Sequence, residues 1–460
     1  MTGRSCLKVL VVASVWFPVV ASAQGRQGIA RRQGTARLET LNNSVVEAAR
    51  RAVHRSNAAS VAELQAIAEE RLQLLTELIE HDPREVLRLA LSPTDRNSLP
   101  ATARANTEEY VDLAGTVSVS YEDHREFSRL RHVLDTGAGR YLLHFASEPP
   151  GWMTGDRIRA RGVRVQNTLA LEGSGTSTMG TTAALAGASS QQRTLVMLVN
   201  FLNDAAQPYT TAHAYDLVFN TTDGYLRESS AGATALAGDV VGWFTVNMDS
   251  SVCDTTMLAT LAKQAATGAG AHLSLYSRFV YAFPQNACTW WGLGSVGGNP
   301  SQAWINGELA LDVAGHELGH NLGLYHSRNM DCGASSIGST CTVNEYGDTL
   351  DLMGATRGHF NAFQKERLGW LAAEQIVTVT SGGTSTLTLE PFETTTGGVK
   401  ALKILKSTDA ETGRRTFYYV ELRQGIGYDQ FMSGWTNVMN GLAVHTGSEA
   451  AEHRLRLAFK

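Results

Sequence analysis

No apolar run in this 460-residue chain reaches the ~20 residues that a membrane-spanning helix needs. Neither sign of charge dominates. Thirty-nine Lys and Arg against 44 Asp and Glu leave a net charge of -5, which gives no polyanion-binding surface and argues against nucleic acid as a partner. Charged residues make up only 18% of the chain beside 43% apolar residues, ordinary proportions for globular material. There is no internal repeat. Cysteine is scarce, with five in all and none between Cys6 and Cys253.

What is present begins with an export signal. Arg4 and Lys8 precede a short apolar run, Val9 to Val20, and Ala21-Ser22-Ala23 forms a small-x-small cleavage site before Gln24. Residues 1–23 are therefore expected to be a signal peptide. The protein would be secreted, extracellular or periplasmic, with no membrane association after cleavage. Cys253, Cys288, Cys332 and Cys341 would remain, an even number suited to two disulfides in an oxidising compartment. Three pairings are possible. Cys332 with Cys341 is preferred, because it closes a short loop in a Gly/Ser-rich stretch.

At this length several domains are expected. Residues 24–37 are rich in Arg, Gly and Gln and suggest irregular chain. Helical periodicity covers 38–91, where Val61, Leu64, Ala68, Leu72, Leu75 and Ile79 recur at three- and four-residue steps. Asp82-Pro83 reads as the start of a further helix. The period changes to two across 108–171, a small β barrel or sandwich. Residues 172–192 are mostly Gly, Ser, Thr and Ala, a linker by composition. Arg193, at its end, is a plausible processing point. Thr194–Phe201 is a continuous apolar strand of the kind buried on both faces. The mixed pattern over 193–372 predicts an α/β (α+β) domain, and the β-only pattern over 373–460 predicts a sandwich-like C-terminal domain.

The informative segment runs from His316 to His326, HELGHNLGLYH. With Asn306 as the cap, Leu311, Gly315, Leu318 and Leu322 form one apolar helix face. His316 and His320, one turn apart, project together from the other side and can reach one zinc ion. Glu317 lies about 100° round the helix from His316, beside the metal and placed to act as a base on bound water. Gly323 can end the helix in the left-handed conformation and let His326 swing back as third ligand. Three neutral histidines leave the fourth position open, which suits a catalytic zinc. Five fixed positions, three of them among only 13 histidines, are unlike a chance HExxH.

This segment resembles the extended HExxHxxGxxH signature of the metzincins, and Asp351-Leu352-Met353-Gly354 is similar to their Met-turn. Ser327, Tyr346-Gly347-Asp348, Phe360-Asn361-Ala362 and Leu368-Gly369-Trp370 resemble the gametolysin family. The resemblance implies a zinc endopeptidase with one catalytic zinc held by His316, His320 and His326; the chain is expected to be a monomer. Glu317 would activate the zinc-bound water, and Met353 would form an apolar floor to the site. Protein or peptide substrates of the extracellular matrix or cell wall are implied. Residues 24–192 would be a pro-region ahead of the catalytic domain, 193–372, and the C-terminal domain, 373–460.

The cysteine with which matrixin pro-regions block zinc is excluded here. Blocking by an Asp or Glu, occupation of the cleft, a folding aid and a permanent accessory domain all stay open. The position two after Met353 is Ala355, so the zinc-directed tyrosine of astacins and serralysins has no counterpart there. The stretch Leu293–Ile305 is a candidate for edge-strand pairing with a peptide. Asn344, Glu345, Asp348 and Asp351 offer oxygens of the kind calcium takes, but they lack an EF-hand spacing and read as turn residues. The competing reading is a non-enzymatic zinc-containing adhesin or matrix-binding protein. It predicts a damaged motif, whereas Glu317 is intact.

Overall fold

The computed structural model describes residues 20–55, 58–147, 149–180, 191–335, 337–338, 341–382, 384, 386–410, 413–449 and 455–458. Residues 1–19, which hold most of the expected signal peptide, lie outside them. Two compact units result, one running to Tyr110 and including Val163–Ala170, the other formed by Val111–Gly162 and Leu171 onwards. Among the described residues no helix is long and apolar enough to cross a membrane.

The first unit is mainly helical: α1 (Val20–Arg55), α2 (Ala58–Ile79), α3 (Pro83–Leu89), α4 (Pro93–Ser98) and α5 (Ala101–Arg104). Val45, Ala48, Ala49 and Ala52 of α1 pack with Leu64 of α2 and with Leu91, Leu99 and Ala103. Asp82 caps α3, its carboxylate accepting the Glu85 amide at 3.1 Å, and Pro83 takes the first helical position. Residues 24–37 are helical rather than irregular, because the Ala, Arg and Gln among them favour helix.

Next in the chain come β1 (Glu109–Asp123), β2 (Ser128–Asp135), β3 (Arg140–Phe145), β4 (Arg157–Val165) and β5 (Thr168–Gly180), which belong to the second unit except for Glu109–Tyr110 and Val163–Ala170. Their order is β2-β3-β5-β4-β1 with β2 also bonded to β1, so the strands close into a five-stranded barrel. Val117, Val119 and Tyr121 are buried in alternation, as the period of two requires. Residues 172–180 continue β5, which narrows the expected linker. Residues 191–192 begin the next strand, and the rest of the linker, 181–190, falls outside the described residues.

The chain continues through β6 (Gln191–Phe201), α6 (Thr211–Asp216), a π-helical turn over Leu217–Thr222, α7 (Asp223–Ser229), β7 (Ala235–Val246) and α8 (Thr255–Gly268). Then come β8 (Arg278–Phe283), β9 (Gly292–Ser295), β10 (Ser301–Asn306) and α9 (Leu311–Asn321). Strands β7, β6, β8 and β10 are mutually parallel, and β9 runs antiparallel to β10. The apolar run of β6 is buried on both faces. Val196 and Leu198 pack in one core with Leu318 of α9 and with Leu322 at its end, while Leu195, Met197, Val199 and Phe201 pack with Leu258 and Ala262 of α8. Arg193, read as a processing point, is inside β6 opposite Ala237 rather than in a linker.

The barrel and this sheet are not separate: β1 pairs antiparallel with β9, giving one sheet of ten strands. A second sheet collects β11 (Ser327–Asp331), β12 (Thr342–Asn344), β13 (Ile376–Val379), β14 (Ala401–Thr408), β15 (Arg415–Glu421), β16 (Ala443–Ser448) and β17 (Leu455–Ala458). Its order is β12-β11-β17-β16-β15-β14-β13, and β17 joins β11 in parallel. Among the described residues the C-terminal strands therefore form one sheet with β11 and β12, not the sandwich expected for 373–460. Strand β11 offers them a pairing edge that no local pattern announces. The disulfides are Cys253–Cys288 and Cys332–Cys341.

Candidate metal centre

Helix α9 carries the first donors. It starts at Leu311 without a side-chain cap. Asn306, expected to cap it, ends β10, where its amide donates to the Cys288 and Trp290 carbonyls at 2.9 and 2.7 Å. At the other end the Gly323 amide bonds the His320 carbonyl at 2.8 Å and the Leu324 amide bonds the Gly319 carbonyl at 3.1 Å. Those two bonds make a Schellman motif, with Gly323 at φ +95°. The sharp turn delivers His326 back to the helix.

His316, His320 and His326 converge, and a fourth residue joins them: Asp123, the last residue of β1. One donor atom from each lies within 4.8 Å of all the others, and all four residues are buried. Oδ1 of Asp123 is 2.9 Å from His326 Nε2, while Oδ2 is 3.3 Å from His320 Nε2 and 3.5 Å from His316 Nε2. His316 Nε2 and Asp123 Oδ2 have no hydrogen-bond partner although both are sealed from solvent. Buried polar atoms are rarely left so, and imidazole nitrogens facing a carboxylate around one point are the donor chemistry of a divalent cation site.

Each imidazole is oriented through its other nitrogen. His316 Nδ1 donates to the Leu352 carbonyl and His320 Nδ1 to the Leu324 carbonyl, both at 2.8 Å, and His326 Nδ1 lies 3.0 Å from Glu345 Oε1. Bonds of this kind set the tautomer and point every Nε2 inward. Glu345 is itself gripped by Arg328 at 2.6 Å and by Ser128 at 2.8 Å. Burial would raise the Glu345 carboxyl, but His326 and Arg328 outweigh it and hold it at about 2.

Burial drives His316 down to about 3 and lowers His320 as well, which keeps both in the neutral form that can ligate. Burial also pulls on His326, but the Asp123 and Glu345 carboxylates prevail and its pKa is raised. Glu317 is fully buried, and both its oxygens lack a hydrogen-bond partner. Burial, and next the Asp123 charge, push its carboxyl well above the usual range. It occupies space that β9 leaves free. A Cβ on Gly292 would come 1.9 Å from Glu317 Oε1, and one on Gly294 would come 2.7 Å from Oε2.

Met353 is buried with its sulfur against α9, where a Cβ on Gly319 would meet it at 2.3 Å. Asp351 holds this turn, accepting the Met353 amide at 2.8 Å through one oxygen and the Asn361 amide at 2.8 Å through the other. Asp348 likewise accepts the Leu350 amide at 2.9 Å. These carboxylates serve turns, as the sequence suggested.

Residues 176–446, which contain α9, its glycine turn and all three histidines, match the model of the gametolysin peptidase M11 family. The chain belongs to that family. It is a metallopeptidase, a hydrolase acting on peptide bonds. A search among curated proteins returned no match.

For this gametolysin-family peptidase the sequence motif names three of the four converging donors and omits Asp123. It also passes over Glu345, Tyr346 and Tyr121. The Tyr346 hydroxyl lies 2.8 Å from Asp123 Oδ1, and its ring is 4.8 Å from that of His326. A tyrosine thus reaches the centre from the loop before the Met353 turn. Tyr121 stacks on His320 with ring centroids 4.6 Å apart. The alternation of β1 marks Tyr121 and Asp123 as sharing a face, and nothing local says what that face meets.

Proposed function

We propose that this protein is a secreted zinc endopeptidase of the metzincin type, with His316, His320 and His326 as the metal ligands and Glu317 as the general base. The observation that carries the reading is the convergence of three inward Nε2 atoms with the buried Asp123 carboxylate, whose Oδ2 has no hydrogen-bond partner, beside the unpartnered carboxylate of Glu317. Zinc fits three imidazoles and an oxygen donor, and when bound it would lower the pKa of water to about 7 and polarise the scissile carbonyl.

The chain's own part is proton handling and shape. Glu317, kept basic by its dry pocket, takes a proton from the attacking water and returns it to the leaving amine. No covalent acyl intermediate is needed. The Met353 turn packs under α9 and fixes the helix that bears the ligands. The basic, then apolar, start of the chain and the two disulfides support an exported protein. Extracellular or cell-wall proteins are the substrates this location makes available, and residues 24–192 act as a pro-region.

Replacement Glu317→Gln tests the assignment. Bound zinc, measured by atomic absorption, should persist, while hydrolysis of denatured casein falls by about 10²–10⁴-fold. Casein cleavage by the variant at the native rate removes Glu317 from its role. A native protein whose activity survives exhaustive chelation removes the metal.

A further inference from the structure

Resting on that reading, we infer that Asp123 is a fourth, internal ligand of the catalytic metal and that β1 lies in the peptide-binding position, so the full chain is latent until β1 is displaced.

Three independent features meet at residues Ser120–Asp123. The first is backbone pairing. Ser120, Tyr121, Glu122 and Asp123 stand opposite Ser295, Gly294, Leu293 and Gly292 of β9, antiparallel. The pairing is extended at both ends, where the Trp291 amide donates to the Asp123 carbonyl and the Val296 amide to the Val119 carbonyl, both at 2.8 Å. Strand β9 is bonded to β10 on its other side, so without β1 it would be a bare edge beside the histidines. A bare edge takes up extended chain readily.

The second feature is the metal position. Asp123 Oδ1 and Oδ2 lie 2.9–3.5 Å from all three Nε2 atoms, on the side that a water and a scissile carbonyl would need. The carboxylate stands where those oxygens would bind. The third is cover. The Tyr121 ring lies over His320 and His326, 4.6 and 4.2 Å from their centroids, and leaves all three histidines at most 1% exposed. Tyr346 latches the arrangement through its hydroxyl, which is within reach of Asp123 Oδ1 at 2.8 Å and the Phe127 carbonyl at 3.2 Å.

The occupant also defines the ligand class. Any replacement must be an extended peptide that runs antiparallel to β9 and passes the three imidazoles. Gly292 and Gly294 face Glu317, so the strand itself contributes no side chain there to select among residues. Recognition at this point is by backbone.

The test uses the full chain loaded with cobalt(II), whose visible spectrum reports its ligands, with acetohydroxamate as the probe. In the native chain acetohydroxamate should leave the spectrum unchanged. In Asp123→Asn and Asp123→Ala it should shift the spectrum, chelators should strip the metal about 10–100-fold faster, and kcat/KM on an unstructured peptide should rise by about 10–100-fold. A native chain that takes up acetohydroxamate freely overturns the inference, even where neither variant folds. So does an Asp123→Asn protein with unchanged spectrum, metal release and turnover. Failure of the native chain to bind cobalt at all instead overturns the zinc assignment on which the inference rests.

Discussion

Gly292 and Glu317 are bound together by a missing side chain: a Cβ on the glycine would sit 1.9 Å from Oε1 of the glutamate. Strand β9 is thus shaped around the carboxylate carried by α9. Gly292→Ala should push the carboxylate aside without touching the histidines. Displacing a catalytic group by about 1 Å costs on the order of 10²-fold, so kcat of the activated enzyme should fall by about that factor with zinc content unchanged. Kinetics paired with metal analysis check this, and native turnover in Gly292→Ala would show that Glu317 can work from elsewhere.

Glu345 acts through His326. Its carboxylate accepts the Nδ1 proton and so aims Nε2 at the centre. Glu345→Gln keeps the size but removes the charge, and zinc affinity should weaken by about 10–100-fold. Competition with a chelator of known affinity measures it. An unchanged affinity would leave Glu345 as a partner of Arg328 alone.

Gly323 makes the turn that brings His326 back beside His316 and His320. At φ +95° a side chain is strained, so Gly323→Ala should destabilise the fold by about 1 kcal/mol and loosen His326. Thermal melts with and without zinc separate the two effects. The stabilisation gained from zinc should shrink in the variant, and an equal gain would detach His326 from the turn.

His132 supplies a pH test away from the metal. It is buried in the barrel beside Phe145 and Trp152, and burial depresses it from 6.5 to about 4. The unfolded state therefore binds the proton more readily, and stability present above about pH 6.5 is lost as pH falls toward 4. The loss is up to about 3 kcal/mol. His132→Phe should flatten this part of the profile, measured as urea midpoints at pH 7 and pH 5. Parallel profiles for the two proteins would refute it.

The continuous apolar run of β6 and the two-residue period of β1 both signalled their strands, because burial on a pleated surface is written directly in the order of residues. Strand β7 was not legible: its glycines at 238 and 242 interrupt the apolar pattern, and it is recognised only by its parallel pairing with β6. The C-terminal strands were read as strands, but which edge they would join is a long-range choice.

Residues close in the chain settle the outline of the metal centre. His316, His320, Gly323 and His326 lie within a helix and one turn, so their geometry follows from helix pitch and a left-handed glycine, and sequence spacing alone determines it. Asp123, Glu345 and Tyr346 were decided by tertiary structure alone. They come from a barrel strand and a distant loop, and an aspartate at the end of an alternating strand reaches the three histidines only when β1 pairs with β9. Local stereochemistry is encoded residue by residue. Convergence across nearly two hundred residues depends on how strands choose partners, and that is settled by the burial of whole faces at once.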